Sequence, residues 1–247
     1  MQVPSGWLDG YTGAVTSVTQ RAQIELRAAL DLVDYTQPMV DLRRELIGLM
    51  EDYCDAAAQV GVRLSADFYN ELRYRVTGER LPSVSLRTLR SKEDTRKAVL
   101  ALLRELEEGE LEGVEDLQTE LVNHMDVEVK RAVARNTIEN VRNDPGDVRY
   151  ARVPQGETTC DFCIMLASRG PVYWSEESAG AFTKFHEHCD CKVVPFFGTE
   201  EDGASRRKSG MSVEGYDPDA LYEQYRATQQ RKREWHAKHD KRKQFIK

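Results

Sequence analysis

Four of the five cysteines and two of the five histidines of this 247-residue chain fall in one short stretch, TTCDFCIMLASRGPVYWSEESAGAFTKFHEHCDCKVVPFF, residues 158–197. So many thiols and imidazoles so close together point to a metal, a disulfide pair or a reactive centre. The opening MQVPSGWLDGY has neither a basic stretch nor an apolar core to mark it for secretion. No run approaches the roughly eighteen apolar residues of a membrane span. A product made in the cytoplasm keeps its thiols reduced, which favours a metal or catalysis over a disulfide framework.

Cys160 and Cys163 form a C-x-x-C, a spacing that aims two sulfurs at one point. His186-Glu187-His188-Cys189-Asp190-Cys191 follows and supplies a second ligand pair, completing the four-donor tetrahedral shell that zinc favours with sulfur and nitrogen. Cys160 and Cys163 give one pair, and two of His186, Cys189 and Cys191 give the other. Spacing alone leaves open which one is omitted, and His188 is the weakest donor. The bland alternative is a set of reduced cysteines packed beside Phe162, Trp174 and Phe196, or a pair that oxidises. A closed shell leaves no position for water, so the expected role is a structural zinc, about one per chain by the same four-donor logic. Such a staple suits a module too small to build much core of its own.

Enzymatic readings fare worse. Zinc deaminases need H-x-E followed by P-C-x-x-C, and here the C-x-x-C comes first with no proline before it. A thioredoxin-type pair needs a βαβ context that the preceding residues do not suggest. No G-x-x-x-x-G-K-[ST], G-x-S-x-G or H-E-x-x-H occurs. No catalytic residue is assigned and the chain is read as a non-enzyme, with a nuclease built on the His/Cys cluster as the enzymatic alternative.

Ahead of the cluster the chain reads as helices. Val15, Val18, Ala22, Leu26, Ala29 and Val33 recur at three- and four-residue steps. After Thr36-Gln37-Pro38, a second stripe runs through Met39, Leu42, Leu46, Leu49, Tyr53, Ala56, Ala57 and Val60. Two such helices joined so briefly should pack antiparallel. Residues 65–76 suggest a further short helix opened by a capping serine. Residues 77–92 read as a connection, and helices are expected again over 93–106 and 114–141. These stripes are core, Cys54 is an inert buried thiol, and His124 is a packed or surface histidine. NDPGD, residues 143–147, stops the pattern.

The net charge of −7 conceals an asymmetry. Residues 226–247 hold nine Lys/Arg against two acids, a local +7, so the first 225 residues carry −14. Arg231, Lys232, Arg233, Lys238, Lys241, Arg242 and Lys243 are therefore the residues expected to meet nucleic acid or an acidic protein surface, and the bland alternative is a solvated end. The fold expected is mainly α: a helical bundle or hairpins over 1–145, a small zinc-stapled α+β module over 146–198, and a polar, flexible linker with a basic helix or tail over 199–247.

RYARVPQGETTCDFCIMLASRGPVYWS followed by FHEHCDCKVVPFF resembles the signature of the phage Mu F-like minor head proteins, in the branch found in phages of actinobacteria. Cys160, Cys163, Ser168-Arg169-Gly170, Tyr173, His186, Cys189, Cys191 and Pro195 stand at the matching positions. Ala56-Ala57-Ala58 and Tyr69-Asn70-Glu71-Leu72-Arg73 look similar to the family's helical region. The resemblance implies a minor capsid component located in the virion, at the portal vertex or capsid interior, and acting in head assembly or DNA packaging. Its implied partners are the portal or major capsid protein and, through the tail, packaged DNA. It implies no membrane and no small-molecule substrate.

Overall fold

The computed structural model describes residues 1–81, 84, 92–104, 113–156, 159–175, 177–179, 191–201 and 207–244, with backbone alone at 199–201, 207–208 and 240–244. Helix α1 (Ser5–Leu30) buries Leu8, Tyr11, Val15, Thr19, Ala22, Leu26 and Leu30, a stripe at helical spacing. Helix α2 (Met39–Thr77) comes next and is 39 residues long, about 58 Å at the α-helical rise. Trp7 and Tyr11, near the start of α1, meet Phe68 near the end of α2, so the two run antiparallel. The expected break ahead of residue 65 is absent, because α2 runs unbroken through it to the left-handed cap at Gly78. Within α2, Ala56 and Val60 are exposed, while Met50 and Cys54 carry the buried stripe.

Helix α3 (Lys92–Leu102) is short, and α4 (Val114–Asn143) lies across α2. The α2–α4 crossing is close. A Cβ at Gly61 would stand 2.8 Å from Val133 Cγ2, and Ala58, Val62 and Ala132 form a small apolar cluster beside it. Ser65 donates to the Val133 carbonyl at 3.2 Å and lies 2.9 Å from Thr137 Oγ1, tying the helices where they touch.

The NDPGD turn is the joint between the helices and the cysteine module. Asp144 Oδ2 accepts from Tyr69 Oη at 2.9 Å and from Arg73 Nε at 2.9 Å, and Arg73 Nη1 also donates to the Glu79 carbonyl at 2.9 Å. The Tyr-x-x-Leu-Arg stretch thus clamps the turn that ends α4.

Strand β2 (Val148–Val153) then pairs antiparallel with β3 (Lys192–Phe197), with Tyr150 opposite Pro195. Tyr150 exchanges both backbone hydrogen bonds with Tyr173 on its other side, at 2.8 and 3.2 Å. Position 195 is therefore a non-hydrogen-bonded site, where a proline removes no ladder bond. Helix α5 (Asp161–Ala167) packs on β2 between the two strands in sequence.

Strand pairing occupies much of the stretch expected to be a flexible linker. β4 (Thr199–Glu201) pairs with β5 (Arg207–Ser209), and β6 (Ser212–Val213) runs parallel to β1 (Gln2–Val3). The basic end is helical: α6 (Pro218–Gln244) is one continuous helix. One apolar cluster runs through α1, α2, α4, β2, α5 and β3. No helix among the described residues is long and apolar enough to cross a membrane.

Candidate metal centre

Cys160 is the N-cap of α5, and its Sγ accepts the backbone N–H of Cys163 at 3.4 Å. The C-x-x-C therefore occupies the first turn of a helix, where exposed N–H groups favour negative charge. Cys163 is buried on that turn, and Cys191 is buried just before β3. Their sulfurs lie 3.2 Å apart, although 28 residues separate them in sequence. Because β2 and β3 are antiparallel, the strand–helix–strand unit around the C-x-x-C is not a thioredoxin-type βαβ.

The sulfur separation tests whether a metal fits. Two thiolates on one tetrahedral zinc, at about 2.3 Å each, would be about 3.8 Å apart. A disulfide would need about 2.05 Å. The observed 3.2 Å is about 0.6 Å short of the tetrahedral edge and more than an ångström from the covalent distance. Cys163 and Cys191 alone are thus near enough to share an ion. Among the described residues, no group of three or more His, Cys, Asp or Glu side chains is gathered as a formed metal site. His186, His188 and Cys189 lie outside the described residues.

The sequence reading missed Arg152. It is buried on β2, on the same side of the strand as Val148 and Tyr150, and its Nε and Nη2 point at sulfur. Nε donates to Cys191 Sγ at 3.1 Å, Nη2 donates to the same sulfur, and Nη2 lies 3.8 Å from Cys163 Sγ. Strand alternation in VRYARV carried the signal, since it places an arginine on the face of two core residues.

The remaining signature residues build the frame. Ser168 caps the end of α5 and donates from Oγ to the Met165 carbonyl at 2.8 Å. Gly170 takes φ +73°, a left-handed conformation that suits glycine, and brings the start of α6 against the turn at Pro218. Tyr173 Oη donates to the Leu166 carbonyl at 2.8 Å, and burial pushes its hydroxyl up to about 12. Tyr216 Oη reaches the Ala167 carbonyl at 2.6 Å. Of the apolar neighbours expected for packed thiols, Phe196 is buried and Phe162 partly so, whereas Trp174 is 56% exposed. The cavity that Cys191 lines with Tyr11, Val15 and Val133 holds about 20 Å³, room for about one water molecule.

Helix α6 runs back along α5, from Pro218 beside Gly170 to an ion pair between Lys232 and Asp161. Lys232 is thus engaged within the chain. Arg231, Arg233 and Lys238 are exposed on the helix, and Lys241, Arg242 and Lys243 continue it beyond the described side chains. Trp235, itself exposed, stacks on His239 with ring centroids 3.9 Å apart.

Residues 3–228 match the VG15 protein family. The chain is similar to the Gene 15 protein of Mycobacterium phage D29, with 28% identity over 229 residues that cover 76% of this chain and 77% of that protein. It is also similar to the Gene 15 protein of Mycobacterium phage L5, with 32% identity over 112 residues that cover 30% of this chain and 38% of that protein. No solved structure matches it. With most of its length matched, the chain belongs to the VG15 protein family, a family of bacteriophage proteins.

Proposed function

We propose that this protein is a minor capsid protein of a tailed phage, acting in head morphogenesis at the portal or the inner capsid wall. In this reading its Cys/His module is structural and the protein is not an enzyme. The observation that carries the proposal is the convergence of Cys163 and Cys191. It joins the two halves of the C-x-x-C and H-x-x-C-x-C signature on which the resemblance to Mu F-like minor head proteins rests, in a chain from a bacteriophage family.

Cys160, Cys163 and Cys191, with one of His186 and Cys189, would hold a zinc ion that cross-links α5 to the approach of β3. The portal or major capsid protein is the expected partner, and the exposed arginines and lysine of α6 suit packaged DNA. The protein would be made in the host cytoplasm and then built into the particle.

Quantitative mass spectrometry of intact, purified particles of the encoding phage tests the proposal. A few to some tens of copies per particle is the expected result. Absence from mature particles, despite expression during infection, would overturn it in favour of a nucleic-acid-binding protein or nuclease of the infected cell. The exposed basic face of α6 favours that second reading, and truncation after Gln230 separates the two. Under the capsid reading the truncated protein still enters particles. Under the alternative it loses DNA binding.

A further inference from the structure

Around and beyond the Lys232–Asp161 ion pair, every side chain of α6 from Arg231 to Lys238 is exposed. Helices in proteins are held mainly by packing an apolar face, so a stretch exposed on every side is suited to a partner. Its one large ring system is Trp235, 55% exposed. The indole is held in place. His239, one turn on, stacks against it with ring centroids 3.9 Å and planes 24° apart. His239 Nδ1 lies 2.9 Å from the Trp235 carbonyl, which pins the backing ring, and His236 meets the indole edge-on at 5.0 Å. One face of the indole is therefore backed, and its outer face is left for a flat guest. Cations flank it. Arg231 and Lys238, at i−4 and i+3, lie on the same side of the helix as Trp235, roughly 10 Å apart along its axis. An aromatic surface between two cations fits the bases and phosphates of a nucleic-acid strand. In a duplex the bases are already stacked on one another, so the indole can take up only unpaired ones. An acidic protein surface would meet the cations but offer the indole no such partner.

We propose that the Trp235–His239 platform of α6 binds single-stranded polynucleotide, with an unpaired base stacked on the outer face of Trp235 and phosphates held by Arg231 and Lys238. The inference rests on the reading of α6 as a nucleic-acid contact, and it names the form of nucleic acid that α6 takes. It draws nothing from the cysteines. Every base has a π-face, so binding at this platform tolerates any sequence.

The test uses the full-length chain, with labelled oligodeoxythymidylate and a DNA duplex of equal length as probes, followed by fluorescence anisotropy. Trp235→Ala should bind the single strand roughly 5- to 100-fold more weakly while its affinity for the duplex changes by less than about twofold. Trp235→Phe, which keeps a smaller ring, should fall between. Lys238→Ala should weaken binding to both probes and reduce the slope of log affinity against log salt by about 0.7 for the single strand. The unlabelled single strand should also quench the tryptophan emission of the wild-type protein. Trp235→Phe should lose that quenching although Trp7 and Trp174 remain. Should Trp235→Ala fail to fold, the emission of Trp235→Phe decides, and quenching that persists overturns the proposal. Oligouridylate should bind about as tightly as oligodeoxythymidylate, because stacking ignores the sugar. Binding of one of these strands alone would place recognition at the sugar and overturn the platform. Wild-type protein that binds neither single strand nor duplex overturns the nucleic-acid reading of α6 together with this inference. Wild-type protein that binds both, with Trp235→Ala unchanged on the single strand, overturns this inference alone.

Discussion

Arg73 and Arg152 are both buried, one at the joint that ends the helical body and the other inside the cysteine module. Arg73 is answered by Asp144, whose carboxylate oxygen also accepts from Tyr69 at 2.9 Å. Arg152 donates to the Cys191 sulfur. A carboxylate brings its own charge, so the joint is electrostatically matched as soon as the chain folds. A sulfur brings a full charge only as thiolate, so the contact of Arg152 with Cys191 depends on the state of the thiol in a way that the joint does not. The body and the module should therefore respond differently to the same perturbations.

The largest effect is expected at the joint. Asp144→Ala leaves Arg73 buried without its carboxylate, and breaking such a pair costs about 3–5 kcal/mol. Urea unfolding would measure this, and pairing Arg73→Met with Asp144→Leu should recover most of it. A loss below about 1 kcal/mol for Asp144→Ala would mean that the joint is not held by charge. Removing metal should act on the module instead. An ion present at 100 to 1,000 times its dissociation constant stabilises by about 3–4 kcal/mol. A strong chelator should abolish the near-ultraviolet signal of the Tyr150–Tyr173 pair, whose ring centroids are 5.5 Å apart, while the far-ultraviolet helix signal persists. Loss of both signals together would mean that the two regions unfold as one.

Alkaline pH probes each region with its own tyrosine. Burial raises the hydroxyls of Tyr11, in the body, and Tyr173, in the module, to about 12. Each stabilises the fold in full below its unfolded value near 10, on the order of 2 kcal/mol, and that contribution fades as pH climbs toward 12. Tyr11→Phe and Tyr173→Phe should each flatten part of the stability curve between those values, and an unchanged curve in either would exclude that tyrosine.

Smaller effects are expected elsewhere. Gly61→Ala pushes a methyl group against Val133 at the α2–α4 crossing. Overpacking costs about 1–3 kcal/mol, and helix propensity returns up to about 1. A net loss near 1 kcal/mol, rescued by Val133→Ala, is expected in thermal unfolding. Lys232→Ala removes an exposed ion pair with Asp161 and should change stability by less than about 1 kcal/mol.

How much could be read from the sequence differs between the two regions for physical reasons. The stripe of α1 through Val15, Ala22 and Leu26 was legible because burial of one helix face imposes its period on the sequence. The continuity of α2 was not, since Ser65 reads as a helix cap while its use, a hydrogen bond to the Val133 carbonyl across to α4, is tertiary. The spacing of the cysteines set the expectation that the C-x-x-C meets a distal pair, and among the described residues Cys163 lies beside Cys191. Arg152 went unread because a charged residue in a strand is ordinarily solvated. The β1–β6 pairing could not be seen at all, since strands of two residues leave no periodic trace.

That last pairing bears on how the protein is made. Val3 accepts a hydrogen bond from the Glu214 amide, and the Ser5 amide donates to the Glu214 side chain, so the first strand finds its partner more than 200 residues later. At roughly 5–20 residues per second on the ribosome, the nascent strand waits about 10–40 s for that partner to be synthesised. During that interval α1 and α2 can already have paired, and the late arrival of residues 212–214 closes the structure behind them. The opening of α1 is therefore the last part of the helical body to be locked, and a fusion placed ahead of it would sit at the seam where synthesis and folding finish together.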